Sequence, residues 1–278
     1  MKYVSFQRPD GSAGYGRVDG ETIVELGAGS GAPVDLKTAI ATRTLSGLVD
    51  GPRHALSDVA LLPVIPNPGK ILCVGHNYET HRQETGRAKV DHPSIFTRFA
   101  DTLVGHQQPI VLPKASTNLD YEAELAIVIG RGGRAIPEAQ AAEHIAGYAC
   151  FNDASVRDWQ WHTSQFTPGK NFPGTGGFGP WLVTPDEAGD LAAVRVISRL
   201  NGEIMQDQPI GDMIFPIAKI VAYVSAFTPL SPGDVIATGT PGGVGAKRTP
   251  PVWMKAGDTI EIEIGHIGTL SNAIVAED

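Results

Sequence analysis

Glycine and proline divide this chain into short segments, and this punctuation is the strongest constraint on its fold. The 278 residues include 33 glycines and 21 prolines, and the apolar stretches between them are of strand length. Glycine supplies the positive φ angles of tight turns and proline fixes φ, so the pattern suits many short strands joined by turns. The sequence therefore predicts a β-rich α+β fold in which helices are few.

Apolar and alternating runs mark the expected elements. Strands are predicted at residues 2–6, 16–18, 22–25, 70–74, 109–112, 123–129, 148–151, 194–200, 234–238 and 259–264. Helices are predicted at residues 35–49, 138–146 and 212–227. The last of these has one apolar face, formed by Met213, Ile217, Ile220, Val221 and Val224.

Residues 62–69 contain three prolines and predict a domain boundary. Proline blocks both a helix interior and a central strand, so no regular element is expected to continue through this stretch. We expect a small N-terminal α+β domain at residues 1–66 and a larger domain at residues 70–278.

Charge, cysteine content and hydropathy exclude several classes of protein. The 22 basic and 30 acidic side chains give a net charge of −8 without a basic cluster, so a nucleic-acid partner is not expected. Cys73 and Cys150 lie far apart and outside any Cys-x-x-Cys pattern, which favours a reducing compartment. No leader pattern or apolar stretch near ~20 residues is present, so we expect a cytoplasmic protein without a membrane partner.

Two glutamates open the wholly apolar run at residues 123–129. Glu122 and Glu124 are two positions apart, so on a strand their side chains share a face. Carboxylates side by side at the edge of a core repel each other unless a cation or solvent relieves the repulsion. The pair fits either a cation site or an exposed strand end.

A third carboxylate favours the cation site. Asp153 follows the predicted strand at residues 148–151. Three carboxylates suit a hard divalent ion, Mg²⁺ or Mn²⁺, and leave about three octahedral positions for water and substrate. Zinc is disfavoured because no histidine or cysteine lies at ligand spacing beside these residues.

His81 and Glu84 form a candidate acid–base pair. They are three residues apart and would share a helical face. A carboxylate that holds one imidazole nitrogen leaves the other free to take a proton from water, although a solvated surface pair has the same spacing. Lys170 lies among apolar, glycine and proline neighbours and could stabilise an enolate or a carboxylate, although most lysines lie at the surface.

Two glycine-rich segments are candidate phosphate sites. Residues 174–179 match the dinucleotide-binding fingerprint, but Pro180 and Trp181 follow where the helix should begin, which disfavours that function. Residues 238–245 lack the Lys-Ser/Thr ending of a P-loop, although their backbone N–H groups could bind a carboxylate.

Taken together, the ordered motifs resemble the fumarylacetoacetate hydrolase family. The matching segments are residues 74–78 with His81 and Glu84, then 121–125, 152–158, 169–172, 179–181 and 237–245. They run in the family's order over roughly three quarters of the chain. Each motif is weak alone, and the ordered set is specific.

The resemblance implies a mixed β-sandwich roll, a homodimer, and one Mg²⁺ or Mn²⁺ ion per chain held by Glu122, Glu124 and Asp153. It places His81 and Glu84 on a lid that orders over substrate and activates water. It assigns stabilisation of an oxyanion or enolate to Lys170 and Gln160. It assigns substrate binding to Thr240, with Gly239 and Tyr78 in the same substrate-binding motifs.

Two positions depart from the family pattern. His76 occupies a position where many relatives have another residue, and Arg98 one where many have lysine. An arginine can bind a carboxylate through two parallel hydrogen bonds, so we expect Arg98 to contact a second acidic group of the substrate.

The expected activity is metal-dependent hydrolysis of a carbon–carbon bond in an acylpyruvate, a 2,4-dioxo acid such as fumarylpyruvate or maleylpyruvate, in aromatic-compound catabolism. The same enolate chemistry serves oxaloacetate decarboxylation and the isomerisation or hydration of 2-hydroxyhepta-2,4-diene-1,7-dioate, so the family resemblance leaves these open. A non-catalytic alternative is a module that binds Ca²⁺ structurally.

Overall fold

The computed structural model describes residues 1–27, 29 and 31–278, and all of their side chains except that of Ser46. Strands dominate these residues. The strands are β1 (Lys2–Gln7), β2 (Ala13–Asp19), β3 (Thr22–Leu26), β4 (Asp50–Ala55), β5 (Ala60–Leu61), β6 (Ile71–Gly75), β7 (Ser94–Arg98), β8 (Leu103–Val104), β9 (Ile110–Leu112), β10 (Leu119–Asp120), β11 (Ala123–Ile129), β12 (Ile145–Asn152), β13 (Ser155–Val156), β14 (Gly176–Val183), β15 (Arg195–Leu200), β16 (Glu203–Pro209), β17 (Val235–Ala237), β18 (Thr259–Ile264) and β19 (Gly268–Ala276).

The helices are short and lie between the strands. The α-helices are α1 (Leu36–Ala41), α2 (Glu79–Glu84), α3 (Arg157–Gln160), α4 (Thr167–Lys170), α5 (Pro185–Ala188) and α6 (Ile217–Phe227). Single 3₁₀ segments lie at Leu45–Gly47, Leu56–Asp58, Ala100–Thr102, Glu138–His144, Ile210–Asp212 and Gly245–Lys247. The β-rich α+β class predicted from the sequence is confirmed.

One large mixed sheet forms the centre of the molecule. Its strand order is β4-β3-β2-β1-β14-β12-β11-β17-β6-β7, with β5 beside β1 and β8 beside β14. β11 lies between β12 and β17 and is buried along its whole length, which explains its uninterrupted apolar sequence.

A second sheet packs on the large one. It has the order β16-β15-β18-β19-β9. Alternate residues of β18, including Ile260, Ile262 and Ile264, pack in one cluster with Leu125 of β11 and Cys150 of β12. This period-two burial is the reason that the sequence shows alternation over β18.

The two faces of β11 have different partners. Ile127 and Ile129 pack against α6, whereas Ala126 and Val128 pack with Phe151 and α1 in a separate cluster. Glu124 lies on the same face as Ala126 and Val128 because side chains alternate along a strand. The acidic start of β11 therefore lies at the end of a buried apolar layer.

Strands before and after the predicted domain boundary share the large sheet. β1 pairs with β14, with Tyr3 opposite Leu182. Residues 62–69 contain no strand or helix, as their prolines predict. The division at residues 66–70 stays a prediction.

The predicted helices are longer than the observed ones. The helix expected at residues 35–49 ends at Ala41, because the side chain of Thr42 turns back to the carbonyl of Thr38 and Arg43 adopts a positive φ of 56°. The helix expected at residues 138–146 is the 3₁₀ segment Glu138–His144. The helix expected at residues 212–227 begins at Ile217, since Pro216 caps it and fixes the chain in an extended form before it.

Within the described residues, none of the helices is long and apolar enough to cross a lipid bilayer.

Candidate metal centre and active site

Three buried carboxylates converge where β11 begins and β12 ends. The two strands run antiparallel with Ala123 opposite Asn152, so Asp153 lies beside the glutamates, and its N–H donates to the carbonyl of Glu122 at 2.9 Å. Oxygens from Glu122, Glu124 and Asp153 lie within 4.8 Å of one another. The structure thus brings together the three residues predicted as metal ligands. Glu122 and Glu124 lie at the start of β11, and Asp153 follows the end of β12.

Basic side chains surround two of the three carboxylates. Lys170 Nζ lies 2.7 Å from Glu122 Oε2 and 2.6 Å from Asp153 Oδ2. Arg157 Nη1 lies 2.6 Å from Glu122 Oε1, and Arg98 Nη1 lies 2.7 Å from Asp153 Oδ1. These contacts fix the orientation of both carboxylates.

Glu124 differs from the other two carboxylates, because it forms no salt bridge among the described residues. Its Oε2 accepts a hydrogen bond of 2.8 Å from the N–H of Gly239. Burial, together with the nearby charges of Asp153 and Glu122, raises the pKa of Glu124 well above its ordinary value. For Glu122, burial acts in the same direction, but the charges of Lys170 and Arg157 outweigh it and bring its pKa well below the ordinary value.

A divalent cation fits this donor set. The oxygens are hard ligands, and a cation beside Glu124 would offset the repulsion that raises its pKa. Asp120 also belongs to this group, because it accepts from Arg157 Nε at 2.8 Å. When all four carboxylates are ionised they carry four negative charges, and the three basic side chains beside them supply three positive charges. Glu122, Glu124 and Asp153 could therefore hold Mg²⁺ or Mn²⁺, and the group would then carry one positive charge, which suits an anionic ligand.

His81 and Glu84 lie on α2 beside the carboxylates. His81 Nδ1 and Glu84 Oε1 are 2.7 Å apart, and Glu84 Oε2 accepts from the N–H of Gly243 at 2.9 Å. A carboxylate only accepts, so Nδ1 carries the hydrogen and Nε2 is left as the acceptor. The ring of His76 stacks on His81 with 5.2 Å between centroids.

Asn77 fixes the start of α2 on the protein body. Its amide nitrogen donates to the carbonyl of Thr238 at 2.7 Å, and its amide oxygen accepts from the N–H of Phe215 at 2.8 Å. Thr80 Oγ1 donates to Gln208 Oε1 at 2.6 Å and accepts from the N–H of Gly242. These bonds hold α2 over the carboxylates.

A cavity of about 430 Å³ joins the carboxylates to α2. The predicted site residues that line it are Glu122, Glu124, His81, Lys170, Gln160 and Thr240. Gln160 Oε1 accepts from Arg157 Nη1 at 2.9 Å, and Thr240 Oγ1 accepts from Gln206 Nε2 at 2.8 Å. Because their acceptor atoms are used in this way, the Gln160 amide and the Thr240 hydroxyl keep hydrogens to donate to a ligand.

The structure places three residues expected to bind substrate away from the cavity lining, and their substrate-binding roles stay predictions. Arg98 is 2% exposed and lies behind Asp153, where it also donates to Thr175 Oγ1 at 2.8 Å. Tyr78 is fully buried in the core between the sheets, and the N–H of Gly239 is used by Glu124. None of the three lines the cavity.

The sequence reasoning missed other residues at the site. Arg157, which orients Glu122, lies four residues after Asp153 and could have been found from its place in that motif. Arg87 and Lys247 line the cavity, but single exposed cations carry no signal in a sequence.

Comparisons with known proteins agree with this geometry. A family model described as fumarylacetoacetate (FAA) hydrolase C-terminal matches residues 70–275, and one described as Rv2993c-like, N-terminal matches residues 1–63.

Individual relatives cover most of the chain. It is 38% identical to oxaloacetate tautomerase fahd2, mitochondrial, of Xenopus laevis, over 99% of this chain and 90% of the relative. It is 42% identical to oxaloacetate tautomerase YisK of Bacillus subtilis (strain 168), over 80% of this chain and 75% of the relative. The solved structure of maleylpyruvate hydrolase from Sphingobium.sp SYK-6 matches with a TM-score of 0.79 and 26% identity, over the whole of both chains. The chain belongs to the fumarylacetoacetate hydrolase family.

Proposed function

We propose that this enzyme interconverts the enol and keto forms of oxaloacetate or a closely similar 2-oxo dicarboxylic acid. The observation that carries the proposal is that His81, a base held by the Glu84 carboxylate, lines the same cavity as Glu122 and Glu124. Tautomerisation needs enolate stabilisation and a proton carrier, and the arrangement offers both. The relatives named oxaloacetate tautomerases support this choice of reaction.

Glu122, Glu124 and Asp153 would hold the divalent ion next to the 2-oxo group. When bound, Mg²⁺ or Mn²⁺ supplies Lewis-acid stabilisation of negative charge on the 2-oxo oxygen. Lys170 and Arg98 would orient Asp153 as a ligand, since both donate to its carboxylate. In the structure the Lys170 ammonium group faces carboxylates, so its direct contact with an enolate stays a prediction.

His81 would carry the proton. Its Nε2 takes the proton from C3 of the keto form, the C–H electron pair becomes the C2–C3 double bond, and charge moves to the 2-oxo oxygen. The His81 imidazolium then gives this proton to that oxygen, which completes the enol, and the reverse sequence restores the ketone. Glu84 holds Nδ1–H and stabilises the imidazolium while it exists.

Gln160 and Thr240 would position the substrate. The Gln160 amide hydrogens are available for the enolate oxygen, because its own oxygen is held by Arg157. The Thr240 hydroxyl hydrogen is available for the C1 carboxylate, because its oxygen accepts from Gln206.

The decay of enol oxaloacetate, followed by ultraviolet absorbance, tests the proposal. We expect the Mg²⁺-loaded protein to accelerate the decay and EDTA to abolish the effect. His81→Asn should lower kcat by about 10²- to 10⁴-fold, the usual contribution of a general base, and leave metal binding intact. A wild-type protein that leaves the decay rate unchanged would refute tautomerisation.

Acylpyruvate hydrolysis is the second candidate. The fold shared with a maleylpyruvate hydrolase, together with a base able to take a proton from water, favours it. Pyruvate release from fumarylpyruvate and maleylpyruvate measures this activity. Carbon dioxide release from oxaloacetate, and spectral change of 2-hydroxyhepta-2,4-diene-1,7-dioate, measure the decarboxylase and isomerase alternatives. The proposal expects each of these rates to be lower than that of tautomerisation.

A further inference from the structure

We propose that Arg87 and Lys247 form a subsite that binds the distal carboxylate of a dicarboxylate substrate. The inference rests on the proposed function, because it assumes that the 2-oxo acid end of the substrate binds at the buried carboxylates. It adds the residues that would distinguish a diacid from a monoacid.

The two cations reach one cavity from separate segments of the chain. Arg87 lies just beyond α2, and Lys247 ends the 3₁₀ segment Gly245–Lys247. Both residues are exposed, and both line the cavity that also contains Glu122 and His81. They therefore lie at its solvent side, whereas Glu122 and Glu124 are buried.

Among the described residues, no carboxylate pairs with either cation. Across the described residues, the side chains of Arg87 and Lys247 make no salt bridge, whereas Arg82, close to Arg87 in the sequence, lies 2.6 Å from Glu79. Instead, aromatic rings hold them. The Arg87 guanidinium carbon lies 6.0 Å from the centroid of Phe166, and Lys247 Nζ lies 5.5 Å from that of Trp161.

Holding a cation against an aromatic face orients it and leaves its charge available to an anion. Phe166 and Trp161 both belong to the segment around α3 and α4, which also supplies Gln160 and Lys170. One segment thus positions Arg87 and Lys247 and also contributes residues to the site at the buried carboxylates.

The charges at the buried carboxylates leave the distal carboxylate of a diacid without a positive partner. With a divalent ion the buried group carries one positive charge, which one 2-oxo acid carboxylate balances. A second carboxylate would then enter a protein of net charge −8 without a partner. Two free cations at the solvent side supply that partner and favour the approach of a dianion.

The observed position of Arg98 supports the assignment. Arg98 was expected to bind the second acidic group, but it is buried against Asp153 and does not line the cavity. Arg87 and Lys247 are the basic residues that line the cavity without a carboxylate partner among the described residues.

A matched pair of ligands tests the subsite. Oxaloacetate and its 4-methyl ester differ only at the distal carboxylate, and their binding to the Mg²⁺-loaded full chain is measured by calorimetry. We expect the wild type to bind the diacid at least roughly 10-fold more tightly, the order expected for charge-assisted hydrogen bonds. The double variant Arg87→Gln/Lys247→Gln should lose most of this preference and bind the ester as the wild type does.

Lys89→Gln is the control, because Lys89 is an exposed cation near Arg87 that does not line this cavity. It should keep the wild-type preference. Equal binding of diacid and ester by the wild type, or an unchanged preference in the double variant, would overturn the subsite. If the proposed function fails, the result is different: the wild type still binds the diacid more tightly than the ester but does not accelerate the decay of enol oxaloacetate.

Discussion

Arg98 carries a positive charge in the interior and pairs with the carboxylate of Asp153. Its side chain is inaccessible to solvent, and it donates to Asp153, to the carbonyl of Ala154 and to Thr175. A buried charge is tolerated only when such partners satisfy it. The residue therefore orients a predicted metal ligand.

Replacing Arg98 should damage stability as well as metal binding. Arg98→Gln removes one of the two cations that pair with Asp153 and leaves Lys170 as the other, so we expect a loss of about 3 kcal/mol, the lower end of the cost of breaking a buried ion pair. Urea denaturation of the metal-free protein measures the free energy of unfolding. Unchanged stability together with a raised KM would return Arg98 to substrate binding. Arg131→Gln, which breaks an exposed pair with Glu143, is the control.

His76 makes the folded protein less stable at acid pH. Burial, followed by the charge of His81, lowers the pKa of His76 from 6.5 to about 4. The unfolded chain therefore takes up a proton at this ring before the folded chain does, so stability present above pH 6.5 is lost as the pH falls toward 4.

His76→Asn should remove this loss, which we expect to be about 2 kcal/mol after allowance for the partial exposure of the ring. Asparagine tolerates the positive φ of 55° at this position. Chemical denaturation between pH 7 and pH 4 measures the effect, with the exposed His92→Asn as control. An identical pH profile in the wild type and His76→Asn would contradict the account.

Helix α2 is an element held by tertiary contacts. It has six residues and no side-chain cap at its N-terminus. An isolated helix of this length is unstable in water, so its position over the cavity depends on Asn77, Thr80 and Glu84.

Thr80→Val should loosen α2 without touching the carboxylates. The change keeps the shape of the side chain and removes the bonds to Gln208 and Gly242, a loss of about 1 kcal/mol. We expect kcat/KM to fall roughly 3- to 10-fold, with faster amide exchange in α2 and unchanged metal affinity. Gln83→Ala on the exposed side of the same helix is the control. Wild-type exchange and activity in Thr80→Val would show that these bonds do not hold the helix.

The elements divide into those that local sequence predicts and those that it does not. β11 and β18 match their predicted bounds because a buried run and a strict alternation are strong local signals. β14 was not predicted, because its glycine-rich start matches a phosphate-binding fingerprint and lacks a strand pattern. Close packing requires these glycines, since a Cβ on Gly177 would lie 2.8 Å from Asn272 Oδ1. β4, which begins directly after the helix expected at residues 35–49, was not predicted, because its pairing with β3 is a tertiary contact.

At the scale of the whole molecule, the site forms where distant segments meet. Residue types and strand positions were enough to predict Glu122, Glu124 and Asp153, since each lies at a strand end beside an apolar run. The partners of Arg98 and the two cations at the solvent side of the cavity could not be predicted, because they depend on which strands become neighbours. The expected homodimer, the cytoplasmic location and the absence of a nucleic-acid partner stay predictions.

Calorimetric titration of Mn²⁺ into EDTA-treated protein tests the central claim most directly. The account predicts one saturable site per chain in the wild type. Asp153→Asn should bind the ion about 10- to 100-fold more weakly, because a neutral amide oxygen replaces a charged carboxylate ligand, whereas His81→Asn should bind normally. Absence of saturable binding in the wild type, or unchanged affinity in Asp153→Asn, would contradict the claim that these three carboxylates form the metal centre.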